Sequence, residues 1–497
     1  MSLLMPLPEP AILGKRDDIV ARLQAIVRPG NVIHLERELS AYECDALTMY
    51  RQPPLVVVLP ETVAEVSGVM KLADELKVKV VPRGSGTSLS GGSLPLADGI
   101  LLGMSKFNRI LEVDFDNRCA VVQPGVTNLA ISNAVAHRGF YYAPDPSSQI
   151  ACSIGGNVAE NAGGVHCLKY GLTANNLLGL EMVLMGGEVI RLGGKHLDAD
   201  LYDLMGVITG SEGLLGVITE VTVRILQKPQ TARGVLLGFP TVAEGADCVA
   251  AIIAEGIIPG GMEMMDKAAI DAAEAFKPCG YPRDADGLVI VELDGTPAEV
   301  DHLTDEVAKI ARARGATSVR VSSSEAERLG FWFGRKNAFP AVGAIGPDYL
   351  CMDGTIPRKE LAKVLSRMDE LAVKHGLRVA NVFHAGDGNL HPLILYDASI
   401  PGDVEKAEAF GADILRLCVE VGGVLTGEHG VGVEKRDLMG EMFTDIDLAQ
   451  QERVKCAFDL DHRLNPGKVF PSLHRCAELG FMHVRSGALP FPEIPRF

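Results

Sequence analysis

The clearest hydrophobic pattern begins at Leu55, where LVVVLP is a β-branched run of the right length for one buried strand. TVAEVSGVMKLADEL follows with apolar residues at helical spacing, and Thr62 and Glu65 are placed as a capping box at its start. KVKVVP then returns to strand character. The three runs predict a β-α-β unit with parallel pairing and a right-handed crossover. Upstream, the pattern predicts one or two helices, about residues 16–27, and a connector. Downstream, strands, helices and glycine turns alternate to about Leu226.

From Gln230 the texture changes. GVLLGFPTVAEGADCVAAIIAEG, GLVIVELDG and VAKIARARGATSV predict strand–helix–strand units of a second α+β domain. VANVFH and LHPLILY are apolar runs joined by Ala-Gly-Asp-Gly-Asn, which predicts a β-hairpin; Gly386 and Gly388 speak against a helix there. A helix is expected over 404–421. The resulting division is an N-terminal helical segment 1–54, a first α+β domain 55–230, a second 231–425, a C-terminal segment 426–475 and a tail 476–497.

Composition narrows the possible functions. With 497 residues, 47% hydrophobic and 22% charged, the chain predicts two or three well-buried domains rather than disorder. A net charge of −17 and no dense Lys/Arg run argue against nucleic acid as a partner. No stretch of about 18 uncharged apolar residues is present to span a membrane. The start lacks the basic region of a secretory signal, so a cytoplasmic protein is expected. The 10 cysteines contain no C-x-x-C pair, which disfavours a zinc ribbon or a local iron–sulfur cluster.

Glycine clustering carries the first candidate chemistry. Directly after KVKVVP comes Arg83-Gly84-Ser85-Gly86-Thr87-Ser88-Leu89-Ser90-Gly91-Gly92. Small residues in succession let backbone N–H groups share one concavity, a nest suited to pyrophosphate, although the same composition also makes a plain flexible loop. Leu89 stands where a dinucleotide fingerprint needs its third glycine, and no Gly-Lys-Ser/Thr of a P-loop follows. Three more turns recur: Pro124-Gly125; Asp145-Pro146-Ser147 with Gly155, Gly156, Asn157, Gly163 and Gly164; and Glu212, Gly213, Gly216 and Ile218 within GSEGLLGVIT.

VPRGSGTSLSGG, ACSIGGNVAENAGG and GSEGLLGVIT together resemble the FAD-binding domain of the vanillyl-alcohol-oxidase type flavoproteins. The resemblance implies a two-subdomain α+β module over 55–230, FAD diphosphate on the 83–92 loop, and cofactor contacts from the turn residues just named. A cap domain and a C-terminal helical segment would follow it. Many relatives tether FAD through a histidine in that loop; none lies between Arg83 and Gly92, so non-covalent FAD is expected. Cys152 is a second conceivable tether, set against the plainer reading of a buried cysteine.

The second cluster of chemistry lies in 382–433, where His384 and His391 flank the hairpin turn and LTGEHGVG holds Glu428 and His429. Two imidazoles and a carboxylate form a three-ligand set with open positions, as catalytic Zn²⁺ or Mn²⁺ requires, leaving His429 as a base. The plainer reading is of ordinary core or surface histidines. Arg335, in FWFGRKNAFP, is either a snorkelling arginine or a bidentate fork for a carboxylate.

FGRKNAFPAVG, DGTIPRKEL, RVANVFHAGDGNLHPLIL, GEHGVG, LNPGKV and the tail LHRCAELG resemble the FAD-dependent D-2-hydroxy-acid dehydrogenases over nearly the full length. The resemblance implies that His384, His391 and Glu428 hold the metal and that His429 is the base, a task suited to a pKa near neutrality. It also implies that Arg335 clamps the substrate carboxylate, that Asn389 is a polar substrate-side group, and that Asn465 joins the cofactor contacts. The chain departs from the hydroxyglutarate enzymes near Phe339 and Cys351, where they carry a threonine and a lysine for a second carboxylate. A small monocarboxylic substrate, glycolate or D-lactate, is therefore expected. Glycolate-oxidising members further imply a second flavin-type subunit and an iron–sulfur subunit passing electrons to quinone, with any membrane association peripheral, at the inner face, and through those partners. The tail would dock such a partner or pack on its own domain. The rival expectations are a self-sufficient D-lactate dehydrogenase and a non-catalytic assembly subunit.

Overall fold

In the computed structural model, which describes residues 5–196 and 202–471, the strand expected from Leu55 forms at Val56–Val58 and the helix after it at Val63–Leu76. Both hydrogen bonds of the Thr62–Glu65 capping box are made. The tail 476–497 lies outside the described residues. The first sheet has the order Val32–Ile33, Val56–Val58, Gly99–Gly103, Lys79–Arg83, the last three strands being parallel. The two strands of the expected β-α-β unit are thus parallel but not neighbours. Gly99–Gly103, buried at every position, takes the place between them, and the more polar Lys79–Arg83 goes to the outside. There the C-terminal segment covers it: Val80 N–H donates to Arg463 O at 2.8 Å, and Asn465 N–H to Val80 O at 2.7 Å.

A second, antiparallel sheet has the order Ile110–Asp114, Cys119–Val122, Val217–Arg224, Leu177–Val183, Val189–Gly193. A third sheet of seven antiparallel strands has the order Ser318–Val321, Thr231–Phe239, Gly287–Gly295, Gly261–Asp266, Arg378–Phe383, Pro392–Tyr396, Asp348–Cys351. Its strands are apolar on both faces because helices cover both. Val235, Leu237 and Phe239 pack beneath Val242–Ala254, Pro297–Ala313, Leu361–His375 and Asp403–Glu420. Leu236 points the other way, toward Lys267–Phe276, Glu325–Lys336 and Ala338–Val342. Each fully buried side chain of this kind contributes about 1.5–3 kcal/mol, so the period-2 alternation fixes the register. Among the described residues no helix is long and apolar enough to cross a membrane.

An ionic clamp joins the first two sheets' domain to the third. His166 lies between two carboxylates, with Nδ1 2.9 Å from Asp145 Oδ2 and Nε2 3.3 Å from Glu292 Oε1; Glu292 also accepts from Arg328 and Trp332. Burial opposes charge on the imidazole, but Asp145 and then Glu292 outweigh it and raise its pKa from 6.5 to about 10. The stabilisation from a raised pKa is complete below the unfolded value and disappears as pH rises through the folded one. Thermal stability is therefore expected to fall between about pH 6.5 and 10 by about 1.4 kcal/mol per pH unit, and His166→Gln to flatten that slope. Melting curves across this range check it; an unchanged slope in the variant would remove the clamp from the account.

Candidate active site

The glycine turns converge on one cavity of about 420 Å³. It is lined by Arg83, Gly84, Ser85, Gly86, Thr87, Ser88, Gly92, Pro124, Pro146, Ser147, Gly155, Gly156, Asn157, Glu212, Gly213, Gly216 and Ile218 from the first domain. Phe339, His391, Glu428 and His429 from the rest of the chain line the same cavity. Gly84 through Ser88 line it, and their backbone N–H groups have no protein acceptor among the described residues. Five consecutive unsatisfied donors in one wall fit the diphosphate of FAD. Cys152 also lines the cavity, receives a hydrogen bond from Asn157 Nδ2 at 3.4 Å, and is kept a thiol by burial, which raises its pKa.

Six residues expected at the cofactor are not in the cavity's lining and make protein contacts. Gly91 packs against Val433, Gly125 against the backbone of Met104 and Phe107, and Gly164 against that of Asp145. The Asp145 carboxylate is committed to His166. Asn465 ties the cradle from behind, its Nδ2 donating to Gly92 O at 2.9 Å and Glu212 O at 2.7 Å. Gly163 faces Glu428: a Cβ there would come within 2.7 Å of Oε2, so its hydrogen leaves room for the carboxylate.

The hairpin forms as Arg378–Phe383 and Pro392–Tyr396, with Asn381 opposite Pro392 and His384 bridging to Asn389. Gly388 turns it at φ +85°, against Ile356 O, where no side chain fits. Across the turn, His384 and His391 come together with ring centroids 5.0 Å apart, and His429 stacks on His391 at 5.0 Å. Glu428 Oε1 receives three imidazole edges, at 3.4 Å from His384 Nε2, 3.1 Å from His391 Nε2 and 3.9 Å from His429 Nε2. One donor atom from each of His384, His391 and Glu428 lies within 4.8 Å of the others, a set that fits a divalent cation.

Two carboxylates that pattern reading passed over organise this cluster. Glu263, 1% exposed, accepts from His384 Nδ1 at 2.6 Å and from Arg335 Nε at 2.7 Å. Its bond to Nδ1 leaves His384 Nε2 free to bind a metal, the usual second partner of a ligating histidine. Asp353, fully buried, binds the loop that carries Glu428 and His429: it accepts from His429 N at 2.8 Å, Glu428 N at 3.2 Å, Gly427 N at 3.1 Å and Thr426 Oγ1 at 2.5 Å.

Asn389 belongs to the same anchor. Its Nδ2 donates to Asp353 Oδ1 at 2.8 Å and Thr355 Oγ1 at 3.1 Å, and it does not line the cavity. The Asn389 amide nitrogen, expected on the substrate side, faces this loop anchor. Arg335 is buried beside the cavity rather than in its wall, while the adjacent Lys336 reaches the rim.

Electrostatics separate the roles of the four groups. Burial disfavours charge on Glu428, but hydrogen bonds from His384 and His391 hold its pKa well below the usual carboxylate range. Burial likewise opposes a charged His384, yet Glu263 and Glu428 lift its pKa well above normal. For His429 burial wins: despite Asp353 nearby, its pKa falls from 6.5 to about 4, with His391 adding to the drop. The expectation of a near-neutral pKa is corrected accordingly: the His429 ring is uncharged throughout the neutral range.

Comparison with known proteins agrees with this architecture. Residues 54–193 match the family described as FAD binding domain, and residues 228–469 that described as FAD linked oxidases, C-terminal domain. The chain is 55% identical over 482 residues to the glycolate oxidase subunit GlcD of Escherichia coli (strain K12), covering 97% of each chain. It is 36% identical to GlcD of Bacillus subtilis (strain 168), covering 91% of this chain and 97% of that one. A D-lactate dehydrogenase of Archaeoglobus fulgidus is 34% identical, over 86% of this chain and 96% of its own. Among solved structures, 4-ethylphenol oxidase from Gulosibacter chungangensis superposes with a TM-score of 0.78 at 19% identity, over 94% of this chain and 99% of the other. p-Cresol methylhydroxylase does so at 0.77 and 17%, with the same coverage. These two share the fold.

Proposed function

The chain belongs to the family of FAD-linked oxidases that includes the glycolate oxidase subunit GlcD, and from that premise we propose that it dehydrogenates glycolate or D-lactate to the 2-oxo acid. The observation that carries this reading is the convergence of three imidazoles on Glu428 Oε1 in the cavity that the glycine turns line.

Bound FAD supplies a two-electron acceptor for the hydrogen leaving Cα, and a divalent cation, Zn²⁺ or Mn²⁺, supplies a Lewis acid for the substrate oxygens. FAD is held non-covalently, since the 83–92 loop has no histidine. His384, His391 and Glu428 hold the cation, with Glu263 fixing the tautomer of His384. His429, uncharged, takes the hydroxyl proton at Nε2, the edge it turns toward Glu428. Arg335, buried behind the cavity with its Nε held by Glu263, supplies positive charge toward the substrate carboxylate. Phe339 lines the cavity and packs edge-on against His391 at 6.4 Å, leaving an apolar wall where a dicarboxylic acid would need a cation. Electrons then pass to a second flavin-type subunit and an iron–sulfur subunit, because this chain lacks clustered thiolates of its own.

A dye-coupled substrate panel tests the proposal, with the visible spectrum and metal content of the same preparation recorded. Glycolate and D-lactate are expected to give kcat/KM values at least about tenfold above D-2-hydroxyglutarate, since a buried carboxylate without a partner costs several kcal/mol. Absence of flavin together with no turnover on any 2-hydroxy acid would overturn it.

A further inference from the structure

His391 belongs to two donor sets. Besides His384 and Glu428, a ring nitrogen of His391 lies within 4.8 Å of Cys351 Sγ and of a ring nitrogen of His429. The Nδ1 atoms of both His391 and His429 are buried without a hydrogen-bond partner, and His391 is only 2% exposed. Two orphaned ring nitrogens in a buried pocket lack the partners such groups ordinarily have. Cys351 closes the strand Asp348–Cys351, opposite Leu393 in the hairpin strand that follows His391, so register places its thiol beside the rings. Its thiol hydrogen bond, 3.4 Å to Met352 O, is weak.

The two sets differ in chemical character. Two imidazoles and a carboxylate suit a borderline or hard cation, whereas one sulfur and two imidazoles suit a soft one. We propose that Cys351, His391 and His429 form a second site that captures a soft divalent cation such as Cd²⁺, and thereby inhibits the enzyme. Capture forms one metal–sulfur and two metal–nitrogen bonds and releases the Cys351 thiol proton to solvent, with no redox change. Bond lengths of about 2.3 Å to sulfur and 2.0 Å to nitrogen ask the donors to close by about an ångström, within reach of side-chain rotation. Inhibition rests on the reading of His429 as the base; binding does not.

Cadmium titration of the FAD-loaded protein tests this, with ultraviolet thiolate-to-metal absorption and turnover followed together. The wild type is expected to develop a band that saturates with inhibition. Cys351→Ser is expected to keep its flavin spectrum and turnover, to lack that band, and to need roughly 10-fold or more cadmium for equal inhibition. Cys351→Ala serves as a second variant should serine disturb folding. A band and inhibition curve unchanged in both variants would overturn the proposal. A band that depends on Cys351 while turnover continues would uphold the site and count against His429 as the base.

Discussion

Replacing His429 by alanine is expected to leave FAD bound and to lower kcat by about 10²-fold or more, the usual contribution of a positioned base. The structure makes this a clean test. His429 lies outside the set of His384, His391 and Glu428, so metal content should not fall with it. Its backbone N–H, not its ring, anchors the loop, donating to Asp353 at 2.8 Å, and alanine keeps that bond. Its ring is uncharged because burial depresses its pKa to about 4, so removing it strips no ion pair from the core. What is lost is the Nε2 edge directed at Glu428 Oε1. Visible absorption should therefore match the wild type while single-turnover flavin reduction slows with kcat, and added imidazole should restore part of the rate. A variant with near-normal kcat would assign the proton to another group.

How much of this was legible beforehand depends on where the signal is stored. The hairpin was legible because its turn residues and its period-2 runs are local, and it alone brings His384 and His391 together. The 83–92 loop was legible as part of a cavity wall because a run of small residues is itself the feature that lets backbone approach closely. Glu263 was not. It occupies an apolar strand as Gly-Met-Glu-Met-Met, and its partners His384 and Arg335 are 121 and 72 residues away. A charged residue within a fully buried strand is a signal, since such a carboxylate is almost never left unpaired, but the identity of the partner is fixed only by the sheet order. The same limit explains Asn389 and Asp145, polar residues in the right loops whose side chains turn toward the nearest buried charge. It also explains the first sheet, where local pattern gave two parallel strands but not the third that lies between them.

Asp353→Asn is expected to cost on the order of 3–5 kcal/mol of stability, the range for breaking a buried charge pair, and to lower kcat with it. Its carboxylate is fully buried, accepts from four consecutive residues of the 426–429 loop and from Asn389, and faces the Lys435 ammonium at 3.7 Å. Burial alone would raise its pKa, but His429 and Lys435 outweigh burial and hold it at about 2. A depressed folded pKa means stability that is present above the ordinary value of 3.8 and lost as pH falls through about 2, so at neutral pH the whole contribution is at stake. An amide in its place presents an N–H₂ group to donors that already need an acceptor, and takes one of two carboxylates from Lys435, which keeps Glu434 at 3.1 Å and its bond to Gly430 O at 2.8 Å. Because Glu428 and His429 hang from this one carboxylate, the substitution should disturb metal affinity and proton transfer together, whereas His429→Ala affects only the second. Melting temperature, metal content and kcat measured on both variants separate the two. An Asp353→Asn protein with wild-type stability would mean that the loop is held by its glycines and packing rather than by the carboxylate beneath it.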